Sequence, residues 1–411
     1  MNRYFIPILI LSLIACCIET DVSVPSFPDI QSYFSVSEGT VQLTIAYNFL
    51  GFCIASFLYG PLSESFGRRR LMIIGNLFLC VGAIGCVLAR DINSLLIARF
   101  IQGIGSSTSA VLVFAMIADV YSGSKSAKLI GIMNSALTIV MSAAPILGGF
   151  LNSYFGWRGN YAVIAGISII SWVSLVFFLP ETKKQFDNFS GKKILGDYFK
   201  LFTSIKFMSA SLVPSILCGG YLAFITSSSF LYTQTFGITI NEYVFHQVAV
   251  IGSFSLISLY SGNILQKYGT KESVTIATLV CCIGASAMVL VSIFMPLSYY
   301  LFTSTITIFM CGMAIIYPAI FAYSMEIFPD IKGASSSAIM GSRALIISAV
   351  VFAGSKLYDG RPVTIASLVL ICFTIALPII LTIIRSNSLS SRNKMKTSTK
   401  NAVESQQMIE R

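Results

Sequence analysis

The chain has 411 residues, of which 55% are apolar and 11% are charged, and its mean hydropathy is +0.81. Soluble domains carry about 25% charged residues, so this composition excludes a soluble protein, and its low charge excludes an intrinsically disordered one. A nucleic-acid-binding protein needs basic residues clustered on a solvated face. The net charge of +10 is therefore not by itself evidence for such a protein. We therefore expect a membrane protein with the lipid bilayer around it and no nucleic acid as a partner.

Apolar stretches long enough to cross a bilayer recur along the chain. A bilayer core of about 30 Å needs about 20 apolar residues in a helix, and short polar breaks separate the candidates. The sequence predicts twelve spans, at residues 4–22, 41–62, 71–89, 94–117, 127–151, 160–179, 208–231, 244–265, 273–294, 298–323, 334–355 and 363–384.

Lys and Arg predict how these spans are oriented. With the N-terminus inside, 21 of the 27 Lys and Arg residues fall in cytoplasmic loops or tails, as the positive-inside rule requires. Arg99 and Arg343 lie instead within predicted helices. The excess of positive charge is thus a topology signal, and we expect both termini on the cytoplasmic side.

A long lysine-rich connection divides the spans into two groups of six. The predicted units are an N-terminal six-helix bundle at 1–180, a cytoplasmic linker loop at 181–207, a C-terminal six-helix bundle at 208–385 and a disordered cytoplasmic tail at 386–411. A shift of 202 positions places the segment Gly60 to Gly67 over Gly262 to Gly269. Duplicated bundles with a substrate site between them near mid-membrane are typical of transporters.

The sequence carries no signature of catalysis or of a metal centre. Its ten cysteines lack metal-ligand spacing and His246 is its single histidine, so we expect no metal site. Phosphate-binding and nucleophile motifs are absent as well. We expect neither an enzyme nor a cofactor, and His246 is interpreted as an interfacial residue.

Charged groups inside the predicted helices are candidates for function because they are costly in lipid. Glu19 and Asp21 fall near the outer end of the first helix, and Arg99 lies about 8–9 Å inside the fourth. Residues that are two positions apart in the chain lie about 200° apart around a helix, so the two acids cannot both face one partner. One of them should point into a central cavity.

A carboxyl group that moves between wet and dry surroundings gains and loses a proton. We predict that Asp21 or Glu19 carries the proton and that Arg99 modulates it. A static ion pair that only holds two helices together is the alternative, as is an acid simply solvated at the outer interface.

Two further segments are distinctive. On the cytoplasmic side, Glu64, Arg68, Arg69 and Asp119 flank helix ends, where they could form a charge latch. In the fifth helix, small residues permit close helix packing and a proline introduces a bend. The residues that mark this helix are Gly131, Pro145, Gly148 and Gly149.

These segments resemble motifs of the major facilitator superfamily. The run from Gly60 through Gly67 to Arg70 is similar to the loop motif between its second and third helices, with Glu64 in the acidic position. Arg68 and Arg69 occupy basic positions of that motif, whereas Ser65 replaces a basic residue.

Two more segments are similar to motifs of helices in the same superfamily. The run from Leu95 to Gly105, with Arg99, resembles its fourth-helix motif, which is associated with proton transfer. The segment from Gly131 to Gly149 resembles the fifth-helix motif of its proton antiporters, although Val140 and Ala144 replace two of its glycines.

The end of the first helix narrows this resemblance to one group within the superfamily. The segment from Asp21 to Pro28 is similar to the end of the first helix in the bicyclomycin-resistance (Bcr/CflA) drug antiporters, and Gly156-Trp157-Arg158 fits the same group. Val22, Ser23 and Val24 replace the Met, Tyr and Leu of that group. The resemblance covers all twelve helices.

The resemblance implies an all-α integral membrane protein with twelve transmembrane helices in two six-helix bundles, the major facilitator fold. It implies a monomeric protein of the bacterial cytoplasmic (inner) membrane that exports a drug or small amphipathic compound against protons by alternating access. Residues expected near the substrate cavity are Asn48, Gln102, Tyr221, Tyr232, Tyr317, Phe321 and Arg343.

Two alternatives stay open. A transporter of the same fold could carry an amino acid or organic acid, with Arg99 or Arg343 binding its carboxylate. A membrane sensor could keep the fold without transport, although a sensor would be expected to carry a sizeable soluble output domain.

Overall fold

The computed structural model describes residues 4–121, 123–183, 186 and 190–386. This part of the chain is built from helices and contains no β-strand. The α-helices are α1 (Phe5–Ser23), α2 (Phe27–Phe34), α3 (Glu38–Phe66), α4 (Arg68–Leu88), α5 (Ile92–Val120), α6 (Gly123–Phe178), α7 (Gly191–Thr203), α8 (Ile205–Phe230), α9 (Ile240–Tyr268), α10 (Thr270–Phe294), α11 (Tyr299–Glu326), α12 (Lys332–Leu357) and α13 (Pro362–Arg385).

The helix α6 supplies two membrane crossings. Its apolar part, Ala136–Phe178, has 43 residues, which at 1.5 Å per residue would reach about 65 Å, twice the bilayer core. Gly156 interrupts it with a φ of 65° and a ψ of −177°, a conformation that favours glycine. Eleven helical segments of the described chain are long and apolar enough to cross a membrane, and the break at Gly156 raises the number of crossings to twelve, as predicted.

Several helices begin where the sequence provides a cap. Asp91 accepts a hydrogen bond from the backbone N–H of Ser94 at 2.9 Å ahead of α5, and Thr239 with Glu242 forms a capping box at the start of α9. Such caps satisfy the free N–H groups of the first turn. Caps of this kind fix the residue at which each long helix begins. Only short loops are then needed between the helices of a bilayer-spanning bundle.

The internal repeat is visible in the backbone. Gly67 joins α3 to α4 with φ 94° and ψ 146°, and Gly269 joins α9 to α10 with φ 87° and ψ 146°. Both conformations lie in the region that favours glycine. The two turns that the sequence aligns at a shift of 202 therefore have the same shape.

The two six-helix halves meet along α3 and α12. A Cβ on Gly39 would overlap the carbonyl oxygen of Ser355, and a Cβ on Gly60 would overlap the Ser337 hydroxyl. Midway between them, the Ser348 hydroxyl donates to the carbonyl oxygen of Ala46 at 2.8 Å. Small residues thus bring α3 and α12 into close contact along the length of both helices.

The helices α6 and α9 form the second contact between the halves. The Ser142 hydroxyl donates to the Ser255 hydroxyl at 2.8 Å. Nearer the end that carries α2, a Cβ on Gly149 would lie 2.6 Å from Cγ2 of Val244. The predicted antiporter-helix residue Gly131 lies outside the described residues, as do the side chains at 123–128, 134 and 135 of α6.

The structure differs from the sequence prediction at two places. The first crossing continues past residue 22 through the 3₁₀ turn Val24–Ser26 into α2. The linker, predicted as a loop, contains α7, which buries Leu201 and exposes Leu195 and Phe199 to 72% and 70%. Its charged and apolar residues alternate with a helical period, a pattern that the lysine content of the linker obscures. The predicted tail beyond Ser386 lies outside the described residues.

Candidate functional site

A buried ion pair lies at the centre of the N-terminal half. The carboxylate of Glu19 in α1 lies 3.6 Å from the guanidinium of Arg99 in α5, and neither side chain is more than 3% exposed. Two amide side chains bind the pair. Asn48 donates to Glu19 Oε1 at 3.2 Å, and Arg99 donates to Gln102 Oε1 at 2.7 Å.

Close helix packing places these side chains. A Cβ on Gly103 of α5 would overlap the carbonyl oxygen of Asn48, and a Cβ on Gly51 of α3 would overlap that of Phe100. The backbones of α3 and α5 therefore nearly touch. This contact lets the Asn48 amide also donate to the carbonyl oxygen of Arg99 at 3.2 Å, which ties α1, α3 and α5 into one network.

The Arg99 charge is only partly compensated. Its Nε and one terminal nitrogen are buried and have no hydrogen-bond partner among the described residues. Its guanidinium carbon lies 5.9 Å from the centre of the Tyr161 ring, which supplies a weaker cation–π contact. Removal of the Glu19 charge would leave an uncompensated cation in a dry site, and such groups are costly.

Asp21 faces a different part of the protein. It is 6% exposed, and within the described ranges no hydrogen bond or ion pair reaches its carboxylate. Its carboxylate lies within electrostatic range of Cys218 and Tyr221 of α8 and of Tyr243 of α9, all in the C-terminal half. The two acids therefore point in different directions, as their spacing predicted.

Helix α6 fixes the backbone beside Asp21. A Cβ on Gly148 would overlap the carbonyl oxygen of Val22, and the side-chain amide of Asn160 donates to the same oxygen at 2.9 Å. Pro145 is buried one turn before Gly148. The segment predicted as the antiporter helix thus packs against the end of α1 on one side and, through Gly149, against α9 on the other.

The C-terminal half contributes a cation and aromatic rings to the space opposite Asp21. Arg343 of α12 donates to the Tyr317 hydroxyl of α11, and Tyr317 stacks on Phe321 with an interplanar angle of 6°. Cys218 of α8 lies within electrostatic range of both Arg343 and Asp21. We call the region around Asp21, Cys218, Tyr221, Tyr317 and Arg343, where the two halves face each other, the central cleft.

The predicted cavity residues separate into three groups. Tyr221, Tyr317, Phe321 and Arg343 are half-buried along the C-terminal side of the central cleft. Asn48 and Gln102 lie instead within the ion-pair network.

Tyr232 occupies a third environment, and its assignment to the cavity is corrected. It is 1% exposed, and its hydroxyl hydrogen-bonds to that of Thr303 at 2.6 Å. Thr303 in turn hydrogen-bonds to Nδ1 of His246 at 2.9 Å. Tyr232 lies in the π-helical stretch Leu231–Thr235, where the extra residue per turn rotates the side chains relative to α8.

The predicted latch residues converge on Arg68. Its Nε donates to Asp119 at 3.1 Å, one terminal nitrogen donates to Glu64 at 2.5 Å, and the other donates to the Ser63 hydroxyl. Arg69 donates to the carbonyl oxygens of Leu179 and Val176. A single guanidinium thus ties the ends of α3, α4 and α5 together.

Glu181 is a latch residue that sequence reasoning missed. Its two carboxylate oxygens accept from the backbone N–H groups of Arg68 at 3.0 Å and Arg69 at 3.1 Å. A Cβ on Gly67 would lie 2.5 Å from the same carboxylate. A carboxylate at this position satisfies the free N–H groups of α4 and opposes its dipole. The one available signal is a single acid directly after the sixth span, ahead of the linker lysines.

Glu64 connects the latch to the other half. Its Oε1 lies 3.6 Å from the position that a Cβ on Gly333 would occupy, in the first turn of α12. An acid at a helix N-terminus is stabilised by the helix dipole. Lys183 contacts the other oxygen of Glu64. The latch therefore lies next to the first turn of α12, at the end where the sequence predicts the cytoplasm.

No group of three or more metal-ligating side chains occurs in the part of the chain that the structure describes. Two six-helix halves, a buried charge network in one half and a cleft between the halves form the arrangement of a membrane transporter.

The chain matches the Major Facilitator Superfamily over residues 9–351, and it belongs to that family. It is 24% identical over 396 residues to the bicyclomycin resistance protein homolog of Haemophilus influenzae, which covers 95% of this chain and 97% of that protein. It is 22% identical to the multidrug resistance protein MdtM of Escherichia coli, over 86% of this chain and 87% of that one.

A solved structure shows the same fold at low sequence identity. The D-xylose–proton symporter superposes with a TM-score of 0.74 at 15% identity, over 91% of this chain and 97% of that one. The predicted fold of twelve helices in two bundles and the predicted family are thereby confirmed.

Proposed function

We propose that the protein exports small amphipathic compounds in exchange for protons, by alternating access of the central cleft. The observation that carries this proposal is that two acids of α1, Glu19 and Asp21, lie in different surroundings. Glu19 is bound inside the N-terminal half by Arg99 and Asn48, whereas Asp21 faces the C-terminal half and has no ion-pair partner among the described residues. Names of the relatives, which refer to bicyclomycin and multidrug resistance, agree with export.

In this proposal Asp21 is the site of exchange. A carboxylate in a cleft between two rocking halves is solvated when the cleft is open and desolvated when it is closed, which changes its proton affinity. A proton and the cationic group of a compound would then bind Asp21 alternately. The buried charge of Arg99 would oppose protonation of Glu19 until the network around it rearranges.

The contacts between the halves would permit the motion. Along α3 and α12, glycines and serines form a smooth contact from Gly39 to Ser337, and smooth surfaces can tilt against each other without side chains interlocking. The latch at Arg68 would favour closure at one end because Glu64 contacts the N-terminus of α12 only when the halves meet there.

The proposed orientation places the latch and both termini in the cytoplasm of a bacterium, with the protein in the inner membrane. This orientation follows from the distribution of Lys and Arg. The latch at Arg68, Arg69 and Lys183 belongs to the same basic end.

Purified protein in liposomes tests the exchange. With a proton gradient imposed, ethidium is loaded on the side from which export begins, and both its movement and the internal pH are recorded. We expect ethidium transport that dissipates the proton gradient, and its loss in the variant Asp21→Asn. The control Asp197→Asn makes the same change in α7, outside the cleft, and should leave the rate unchanged.

Ethidium movement without any change in internal pH would contradict antiport. Full activity of Asp21→Asn would contradict the role assigned to Asp21.

A further inference from the structure

Helix α7 of the linker contacts α3 at a backbone carbonyl group that lacks its helical partner. Pro61 lies inside α3 and has no N–H group, so it cannot donate to the carbonyl oxygen of Phe57, four positions earlier. The Tyr198 hydroxyl of α7 donates to that oxygen at 2.7 Å. An unpaired carbonyl group is costly next to lipid, so this hydrogen bond fixes where α7 contacts α3.

The contact places α7 at the border of the bilayer core. Helix α3 has 29 residues and is about 44 Å long at 1.5 Å per residue, which exceeds the core by about 14 Å. Phe57 lies nine residues before Phe66, the last residue of α3, and this distance is also about 14 Å. Even if the whole excess lay at this end, Phe57 would therefore reach the border, and any excess at the other end places it deeper.

An apolar groove opens beside this contact. It has a volume of about 560 Å³, and its lining consists of aliphatic and aromatic side chains, which are Phe57, Leu195, Tyr198, Phe199 and Phe202. Leu195 and Phe199 are the most exposed of them. A groove of this size and composition suits an apolar ligand. At the border of the bilayer core, the apolar ligand at hand is the acyl chain of a lipid.

The same helix carries positive charge. Three of its lysines are exposed and form no ion pair within the described residues, namely Lys192, Lys193 and Lys200. Lys192 is seven positions from Phe199, which places both on one face of the helix. Asp197, the single acid of α7, is two positions from both Leu195 and Phe199 and lies on the opposite side. An apolar face flanked by lysines is typical of helices that lie in the membrane surface.

We propose that α7 binds an anionic phospholipid, with an acyl chain in the groove against Phe57 and the phosphate group at the three lysines. Lysine side chains keep their stems on apolar surface while their ammonium groups reach the headgroup level. Each lysine near an anionic surface adds a favourable electrostatic energy that a lipid without net charge does not supply. The site shares no residue with the central cleft, and its occupation does not require proton exchange.

Fluorescence quenching by brominated lipids tests this inference on the full-length protein. In an otherwise cysteine-free protein, in nanodiscs of phosphatidylcholine, a fluorophore is attached in Ile205→Cys, which follows α7 and is 84% exposed outside the groove. Equal amounts of phosphatidylglycerol or phosphatidylcholine with brominated acyl chains are then included. We expect phosphatidylglycerol to occupy the site beside the fluorophore about fivefold more readily, the factor that one lysine near an anionic surface provides.

Phe294→Cys is the matched control for the position of the fluorophore. Phe294 is apolar and 77% exposed at the end of α10. The chain has no charged residue between Glu272 and Glu326. We therefore expect equal quenching by the two brominated lipids at this position.

Two triple variants assign the preference to the charge of the lysines. The combination of Lys192→Gln, Lys193→Gln and Lys200→Gln should remove the preference for phosphatidylglycerol in Ile205→Cys. Arginine at the same three positions keeps the charge and should preserve it. High salt should weaken the preference, because exposed charges are screened.

Equal quenching by the two lipids in Ile205→Cys, or quenching by neither, would overturn the inference. A preference of the same size in Phe294→Cys would also overturn it, because the whole basic protein and not α7 would then attract the anionic lipid. So would a preference that survives the three glutamine substitutions.

Discussion

Gly148 packs directly against the carbonyl oxygen of Val22, the residue that follows Asp21. The contact joins the segment that resembles an antiporter motif to the acid that we assign to proton exchange. Asn160 donates to the same oxygen from beyond the break at Gly156. Both crossings made by α6 therefore hold the backbone that positions Asp21.

The Gly148 contact predicts a specific effect of added bulk. In Gly148→Val the new side chain must displace the end of α1, and overpacking of this kind costs about 1–3 kcal/mol. We expect a lower thermal unfolding temperature and a loss of Asp21-dependent transport. Gly166→Val is the control in the same helix, because a Cβ there meets nothing within 4 Å. Equal effects of the two substitutions would rule out the contact as the cause.

The buried pair of Glu19 and Arg99 predicts a non-additive cycle. Glu19→Gln leaves Arg99 buried without its carboxylate, which typically costs about 3–5 kcal/mol, and Arg99→Gln leaves the carboxylate alone. The double variant removes both charges and should regain most of the stability in thermal unfolding. Additive losses in the double variant would show that the two side chains do not interact as a pair.

The contacts of Glu181 and Glu64 in the latch predict that removal of each carboxylate has a different effect. Glu181 caps α4 within one half, so Glu181→Ala should lower stability by about 1 kcal/mol without changing how the halves meet. Glu64 contacts the N-terminus of α12, so Glu64→Ala should open that end. Labelling of a cysteine introduced at Ser337, in an otherwise cysteine-free protein, measures the opening as a faster reaction. Faster labelling in Glu181→Ala alone would reverse these assignments.

A hydrogen bond from the Tyr198 hydroxyl attaches α7, in the linker, to α3. The hydroxyl donates to the carbonyl oxygen of Phe57 at 2.7 Å, and the Tyr198 ring meets the Phe57 ring edge to face. Tyr198→Phe removes only the hydrogen bond, which contributes about 1 kcal/mol. We expect faster proteolysis of the linker at unchanged transport. An unchanged rate of proteolysis would mean that the contact does not hold α7 against α3.

The sequence was most informative where one physical constraint acts alone. Bilayer thickness sets the length of every crossing, and the cost of a charge in lipid singled out Glu19, Asp21 and Arg99. The angle between successive helix positions was enough to separate the directions of the two acids. Each of these predictions depends on local spacing along a single helix.

Contacts between distant segments could not be predicted in this way. Glu181 caps α4 from more than a hundred positions away, and Asn48 binds Glu19 and Arg99 because two glycine contacts bring α3 against α5. Neither partner follows from spacing along one helix. Tyr232 was misplaced because nothing in its neighbouring residues indicates the π-helical turn that rotates it away from the cleft.

The central claim is that Asp21 exchanges a proton for the substrate. Its most direct test is proton release from the purified protein in weakly buffered solution when ethidium is added. The account predicts release of about one proton per protein molecule, lost in Asp21→Asn and retained in the control Asp197→Asn. Binding of ethidium without proton release, or release that persists in Asp21→Asn, would contradict it.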